Sequence, residues 1–598
     1  MKPSKQSISP GPVALGVLLA ILIAYLDSYV ATTATNSASN EVNGREQEPN
    51  KAFFQRPGVR VSEILRARGY LAEEQSFVTD DGYVLGITRG LNPLIGPKRR
   101  QNLRRQPLLF IHGTLVDANS FVMNSFDIEQ PKDFSGLDAD QVSESKLIQL
   151  FNDEPSAKSL AFFALNFGHE VWFLHRRGSP LSQKRIDSPA NKPKPPTVMQ
   201  KYLASIEAHF GRDELANELN RNWRNRRSVS QTTITTDWFN STAGDEMATR
   251  NNSSRHRRAS ELNNHERSSS QATTKKDHTR VVEAVEAAPA ALADYGNLGI
   301  DIKITLDKRL WNHSFDEQAA YDLPNAVDYV LEQTGHEQLV IVGDSSGGAL
   351  IIMSLVLEPK LNDKLSKAIA WVPSFNIGHK KDNHTYALVQ PAFDYIGPFP
   401  FTFLSSPFQA LMEIACSLEV LQVTLCTLAT DTNWGTSAGM APLRPEFQSN
   451  YMTPVSAHEY LQLIQFVSKK QTRMFDFRNK AKNLLAYDRE EPPYYNLSLV
   501  SFEYLSIYVG TSDTLVNLED IETVHRELKV PHRIITMGQP GINHGAVLYH
   551  DQVARIVIIP TYKDIISHGR RAVQSGRQRA GHRNRRKRVR DSSGQQRF

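Results

Sequence analysis

Leu339 to Ile352 reads LVIVGDSSGGALII: an apolar run, a Gly-x-Ser-x-Gly pentapeptide, then a second apolar run. A strand that turns sharply into a helix, with a serine at the turn, fits this order. Glycines flank such a serine because helix and strand come too close for side chains. The pentapeptide by itself decides nothing, since WGTSAGMAP repeats it around Ser437. There the preceding residues are TDTNW, and Pro442 and Pro445 stop any following helix. Ser437 is therefore read as a loop serine and Ser345 as the residue at a strand–helix elbow.

The flanking sequence extends this pattern. SEILRARGYLAEEQSFVTDDGYVLGITRG, from Ser62, predicts a short helix and two strands joined at Asp80-Asp81-Gly82. PLLFIHG predicts a buried strand ending in a glycine turn, and SLAFFALNFGHEVWFL a helix and a strand. LWNHSFDEQAAYDLPNAVDYVLEQTG predicts a helix ending at Gly335. After FEYLSIYVG come a helix from Asn517, the strand RIITMG and a last helix through His550 to Ser567. Strands alternating with helices predict an α/β fold on a mainly parallel sheet.

Two stretches interrupt the rhythm. Residues 188–299 open on KPKPP, place Met199, Leu203, Ile206 and Phe210 at helical spacing, and then become rich in Ser, Thr, Asn and Arg. The spacing at 199–210 fits one amphipathic helix, whereas residues from about 225 to 277 cannot bury enough surface to fold, and the whole is read as a mostly disordered insertion. Residues 375–497 are aromatic-rich and helix-like and hold both cysteines, Cys416 and Cys426. The division is thus 1–31 signal peptide, 32–58 linker, 59–187, 300–374 and 498–568 core, 188–299 insertion, 375–497 cap, and 569–598 tail.

The compartment follows from the ends of the chain and its sequons. Lys2 and Lys5 precede an apolar run from Val13 to Leu26, followed by small residues near Ala31. This pattern is short for a membrane span and fits a cleaved signal peptide, with an uncleaved anchor as the alternative. Acceptor sequons stand at Asn240, Asn251, Asn252, Asn312, Asn383 and Asn496. Cys416 and Cys426 would stay thiols in a reducing cytosol and pair in an oxidising lumen. The tail from Gly569 carries eleven Lys and Arg against one Asp, leaving 58 basic and 63 acidic residues elsewhere. Its HRNRRKRVR resembles a nucleic-acid patch by composition, but behind a signal peptide an arm for anionic surfaces fits better. RNRR at 224–227 and RHRR at 255–258 fit either processing sites or solvated charge.

A serine hydroxyl becomes nucleophilic only when a base takes its proton and a carboxylate holds that base. On an α/β-hydrolase sheet the chain order is serine, acid, histidine, the last two on loops after later strands. Asp513 follows LSIYVG, and His544 follows RIITMG in the loop GQPGINHGAV. Taken singly, Asp513 reads as a helix cap and His544 as one of 18 histidines. Their joint order, each at a strand end, makes Ser345, Asp513 and His544 the candidate triad. Backbone N–H groups of Ser346 and Thr114 are the candidate oxyanion donors.

The stretches GYLAEEQSFVTDDGYVLGITRG, PLLFIHGTLVDANSFVMN, SLAFFALNFGHEVWFLHRRGSPLSQKR, WNHSFDEQAAYDLPNAVDYVL, MFDFRNKAKNLLAYDREEPPYYNLSLV, GTSDTLVNLED and INHGAVLYH resemble the acid lipase family of gastric and lysosomal lipases. They cover most of residues 60–186 and 301–567. The resemblance implies an α/β-hydrolase fold with an inserted helical cap and lid, triad roles for Ser345, Asp513 and His544, and oxyanion roles for Thr114 and Ser346. It also implies a cap disulfide, Cys416–Cys426. Departures stand at Asp344 and Ser346, where the family has His and Gln, at Thr114 for Leu, and at Gly545-Ala546 for Leu-Asp. An acid at 344 adds negative charge beside the site and favours protonated His544.

The implied protein is a secreted or lysosomal ester hydrolase of triacylglycerols or sterol esters, working at an oil–water interface. No cofactor, metal or nucleic-acid partner is expected, nor a membrane anchor once the signal is removed. Phe399, Phe401, Phe403 and Phe408 fit buried core or, above such a site, an acyl-chain pocket.

Overall fold

Alternation in the apolar runs becomes the two faces of one sheet. The computed structural model describes residues 59–123, 131–137, 142–152, 159–186, 194–213, 215, 307–379, 400–401, 453–538, 542–550 and 552–567. Its strands are β1 (Leu71–Val78), β2 (Tyr83–Leu91), β3 (Leu108–Ile111), β4 (Val171–Leu174), β5 (Lys184–Arg185), β6 (Leu339–Asp344), β7 (Leu365–Trp371), β8 (Pro400–Phe401), β9 (Val455–Ser456), β10 (Leu505–Gly510) and β11 (His532–Met537). The main sheet runs β1-β2-β4-β3-β6-β7-β10-β11, with β5 beside β2, and β8 pairs β9 separately. β1, β2 and β4 pair antiparallel, and every neighbour from β4 to β11 pairs parallel.

Along β6, Leu339 and Ile341 point into one core, Val340 and Val342 into the other. Both faces are covered, so the strand reads as a continuous apolar run. The principal helices are α1 (Val61–Ala67), α2 (Leu160–Asn166), α3 (Val198–Phe210), α4 (Leu323–Thr334), α5 (Ser346–Leu357), α6 (Ala457–Lys469) and α7 (Leu518–Glu527). Every residue of α5 is buried, between the sheet and helices α3 and α4. This mainly parallel sheet, covered by helices and entered by helical insertions, is an α/β-hydrolase fold. Among the described residues, no helix is long and apolar enough to cross a membrane.

Two expected helices came out divided. The helix expected up to Gly335 is two: Lys308–Trp311, then a second that restarts at Ser314. A reciprocal cap causes the restart, with Ser314 Oγ accepting from Asp316 N and Glu317 Oε2 from Ser314 N. The second helix widens to a π turn at Gln318–Asp322 just before Pro324, which has no N–H to give. The last helix is also divided. Ala546–Tyr549 ends at an extended His550, whose Nδ1 accepts from Gln552 N and starts the next helix. Within the insertion α3 does form, and it buries Met199, Tyr202 and Ile206, while Phe210 stays exposed.

Several sequence readings fall outside the described residues: the signal peptide, the tail, both arginine runs, Ser437, Asn240, Asn251, Asn252 and Asn383, and the Phe399, Phe403 and Phe408 positions. So do Cys416 and Cys426. The expected disulfide finds no support, since the described residues contain no cysteine. Asn312 is exposed, and Asn496 is half-buried with its Oδ1 accepting from Ser498 N and Oγ.

Candidate active site

Ser345 sits between β6 and α5 at φ 54° and ψ −118°, a backbone conformation that costs a non-glycine residue about 1–3 kcal/mol. The turn is held from both sides. Ser345 N donates to Trp371 O, and its carbonyl accepts from Ser374 N. A Cβ on Gly347 would lie 2.2 Å from Ile111 O, so glycine is required where α5 crosses β3. The serine is thereby lifted off the carboxyl edge of the sheet, the edge where β10 and β11 also end.

His544 Nε2 lies 2.9 Å from Ser345 Oγ, and His544 Nδ1 lies 2.9 Å from Asp513 Oδ2. Asp513 is buried, and its Oδ1 accepts from Leu515 N and Val516 N at 2.8 Å each. It does not cap α7, whose cap is Asn517, accepting from Asp520 N. The two loops meet where a Cβ on Gly510 would come within 2.5 Å of Ile542 O. A carboxylate only accepts, so the ring proton sits on Nδ1, and Nε2 accepts from Ser345. Ser374 Oγ, 3.1 Å from Ser345 Oγ, is then the donor in that pair.

Asp344 is buried beside this chain. Burial pushes its carboxyl up to about 7; His544 pulls it down and Asp513 pushes it further up. Its Oδ1 has no hydrogen-bond partner. The fixed negative charge expected from the sequence is thus absent through the acid range, because desolvation keeps the group neutral.

On the other side of Ser345 lies a dense polar cluster. Thr114 Oγ1 is 2.8 Å from Ser346 Oγ and 3.2 Å from Glu459 Oε1. Arg176 donates from Nη1 to Ser346 Oγ (2.9 Å) and His112 O (3.2 Å), from Nη2 to Glu459 Oε1 (2.6 Å), and from Nε to Gln318 Oε1 (2.8 Å). Gln318 Nε2 donates to Glu459 Oε2 at 2.7 Å. His112 is pulled down to about 3, chiefly by burial, and so is neutral. Its Nε2 accepts from Arg176 N, and its Nδ1 donates to Gly113 O, shaping the loop that carries Thr114.

The structure thus brings Ser345, Asp513 and His544 into one hydrogen-bonded chain and puts Thr114 against Ser346. Sequence reading missed Ser374, Arg176, Gln318 and Glu459. Only Arg176 left a signal, as a charged residue two positions after a fully apolar strand. Among the described residues no group of His, Cys, Asp and Glu could hold a metal ion.

A family model described as a partial alpha/beta-hydrolase lipase region matches residues 61–125. Lipase member N of Homo sapiens is 24% identical over 242 residues, covering 40% of this chain and 60% of that protein. Gastric triacylglycerol lipase of Homo sapiens is 26% identical over 270 residues, with 43% and 64% covered. The chain is similar, at family level, to the gastric and acid lipases. Lipase 1 of Drosophila melanogaster is 24% identical over 255 residues, with 42% and 56% covered. The chain thus spans roughly three fifths of the length of these acid-lipase relatives. Fold and likeness agree on an α/β-hydrolase sheet with family-level similarity to lipases.

Proposed function

We propose that this protein is a secreted or lysosomal lipase that hydrolyses carboxylic esters of neutral lipids through an acyl-enzyme on Ser345. The observation that carries the reading is the unbroken path from Ser345 Oγ through His544 to Asp513, starting at a strained elbow. In this reading Ser345 Oγ attacks the ester carbonyl as His544 Nε2 takes its proton. Asp513 holds the ring and stabilises the imidazolium. N–H groups of Thr114 and Ser346 receive the oxyanion. His544 returns the proton to the leaving alcohol, and water releases the acid by the same route. These steps need no cofactor.

Triacylglycerol is the first substrate to test, because a gastric triacylglycerol lipase is among the relatives. Sterol esters are the second. The protein should release fatty acid from a triolein emulsion faster than it cleaves a soluble short-chain ester, and Ser345→Ala should abolish both. Cleavage of the soluble ester alone would make it an esterase. Lipid binding without turnover would overturn the enzymatic reading.

A further inference from the structure

The two residues whose backbone N–H groups would form the oxyanion hole also touch through their side chains, at 2.8 Å between hydroxyl oxygens. A hydroxyl has one proton to give and two lone pairs to receive. At Ser346 Oγ, Arg176 Nη1 fills one lone pair, and a guanidinium can only donate. Thr114 Oγ1 fills the other whenever it donates to Ser346. The Ser346 proton is then unspent, on a side chain in the first turn after the nucleophile.

Thr114 has a second outlet for its proton, Glu459 Oε1 at 3.2 Å. That oxygen already receives Arg176 Nη2 at 2.6 Å, and Glu459 Oε2 receives Gln318. The cluster therefore has two proton arrangements. In one, Thr114 donates to Glu459 and Ser346 to Thr114. In the other, Thr114 donates to Ser346, and the Ser346 proton points elsewhere. Negative charge appearing between Thr114 N and Ser346 N favours the second arrangement. Only rotations of two hydroxyls separate them.

We propose that the Ser346 hydroxyl, braced by Arg176 and Thr114, is a third donor to the oxyanion. Arg176 acts through it as a positioning residue, drawing electron density from Ser346 Oγ and strengthening its O–H as a donor. Glu459, buried on α6, fixes the guanidinium and ties a helix of the cap region to the oxyanion loop. This inference rests on Ser345 being the nucleophile.

The test is steady-state hydrolysis of p-nitrophenyl butyrate, with inhibition by an alkyl trifluoromethyl ketone, whose adduct carries an oxyanion. Ser346→Ala should lower kcat about 100- to 1,000-fold with KM within about threefold, the range of a lost oxyanion donor. Its Ki for the ketone should rise by the same factor as kcat/KM falls, which loss of packing alone would not produce. Ser346→Thr keeps the hydroxyl and should stay within about fivefold of wild type. Ser346→Cys keeps the shape as a weak donor and should lose rate in the direction of alanine if the alanine variant does not fold. Wild-type kcat and Ki in Ser346→Ala would overturn the proposal. Fluorophosphonate labelling of Ser345 separates the cases: if it labels while Ser346→Ala acts as wild type, only this proposal falls. If Ser345 does not label, the nucleophile assignment falls with it.

Discussion

The two flanks of Ser345 are built on opposite principles. On the histidine side, two loops at neighbouring strand ends supply Asp513 and His544, and the adjoining Asp344 carboxyl is left with a bare buried oxygen. On the oxyanion side, Thr114, Arg176, Gln318, Ser346 and Glu459 come from five separate segments, linked by hydrogen bonds of 2.6–3.2 Å. The first flank is sparse, and in the proposed mechanism its groups exchange a proton. The second is dense, and in that mechanism its heavy atoms hold still while hydroxyl protons reorient to the developing charge. Low local dielectric makes the dense cluster rigid only while it is complete, and makes any missing member costly.

The contrast can be broken experimentally, starting from its largest expected effect. On the histidine side, activity should collapse without loss of fold. His544→Ala should lower kcat by about 10⁶-fold and Asp513→Asn by about 10⁴-fold, with unfolding midpoints near that of wild type. If either variant unfolds instead, this flank is structural. On the oxyanion side the order reverses. Glu459→Ala leaves the Arg176 guanidinium buried without its carboxylate and should cost about 3–5 kcal/mol in urea unfolding. A loss below about 1 kcal/mol would mean that the cluster is hydrated and not rigid.

Asp344 gives a pH-dependent test of the sparse flank. In the fold it keeps its proton up to about pH 7, whereas the unfolded chain releases it near 4. The folded state therefore binds more protons between these values. Stability from this group is full below about pH 4, falls as pH rises, and is lost above pH 7. The total is of the order of 4 kcal/mol at most. Asp344→Asn should match wild type near pH 4 and exceed it in urea midpoint at pH 8. Parallel curves at all pH values would show that the carboxyl finds a partner. The smallest effect belongs to Ser374, a single donor to Ser345: Ser374→Ala should cost tenfold or less in kcat, about 1 kcal/mol.

The same contrast explains what the sequence disclosed. Ser345, Asp513 and His544 each follow an apolar run, so the sheet period places all three at one edge before any contact is known. The core was legible for the same reason at β3, β4 and β6, which are buried on both faces and open as unbroken apolar runs. Arg176 and Glu459 are 283 positions apart and polar, and nothing local separates a buried ion pair from two surface charges. The breaks at Ser314 and His550 depend on side-chain caps that an apolar period does not register. Asp344 was legible as an acid but not as a neutral one, since burial and not residue type sets its charge.

Which serine is the nucleophile decides the proposed mechanism, and the chain offers a built-in control in its second pentapeptide. Fluorophosphonate-treated protein, digested and mapped by mass spectrometry, should carry one adduct, on Ser345, and labelling should slow by orders of magnitude in His544→Ala. An adduct on Ser437, or labelling of Ser345 at an unchanged rate without His544, would contradict it.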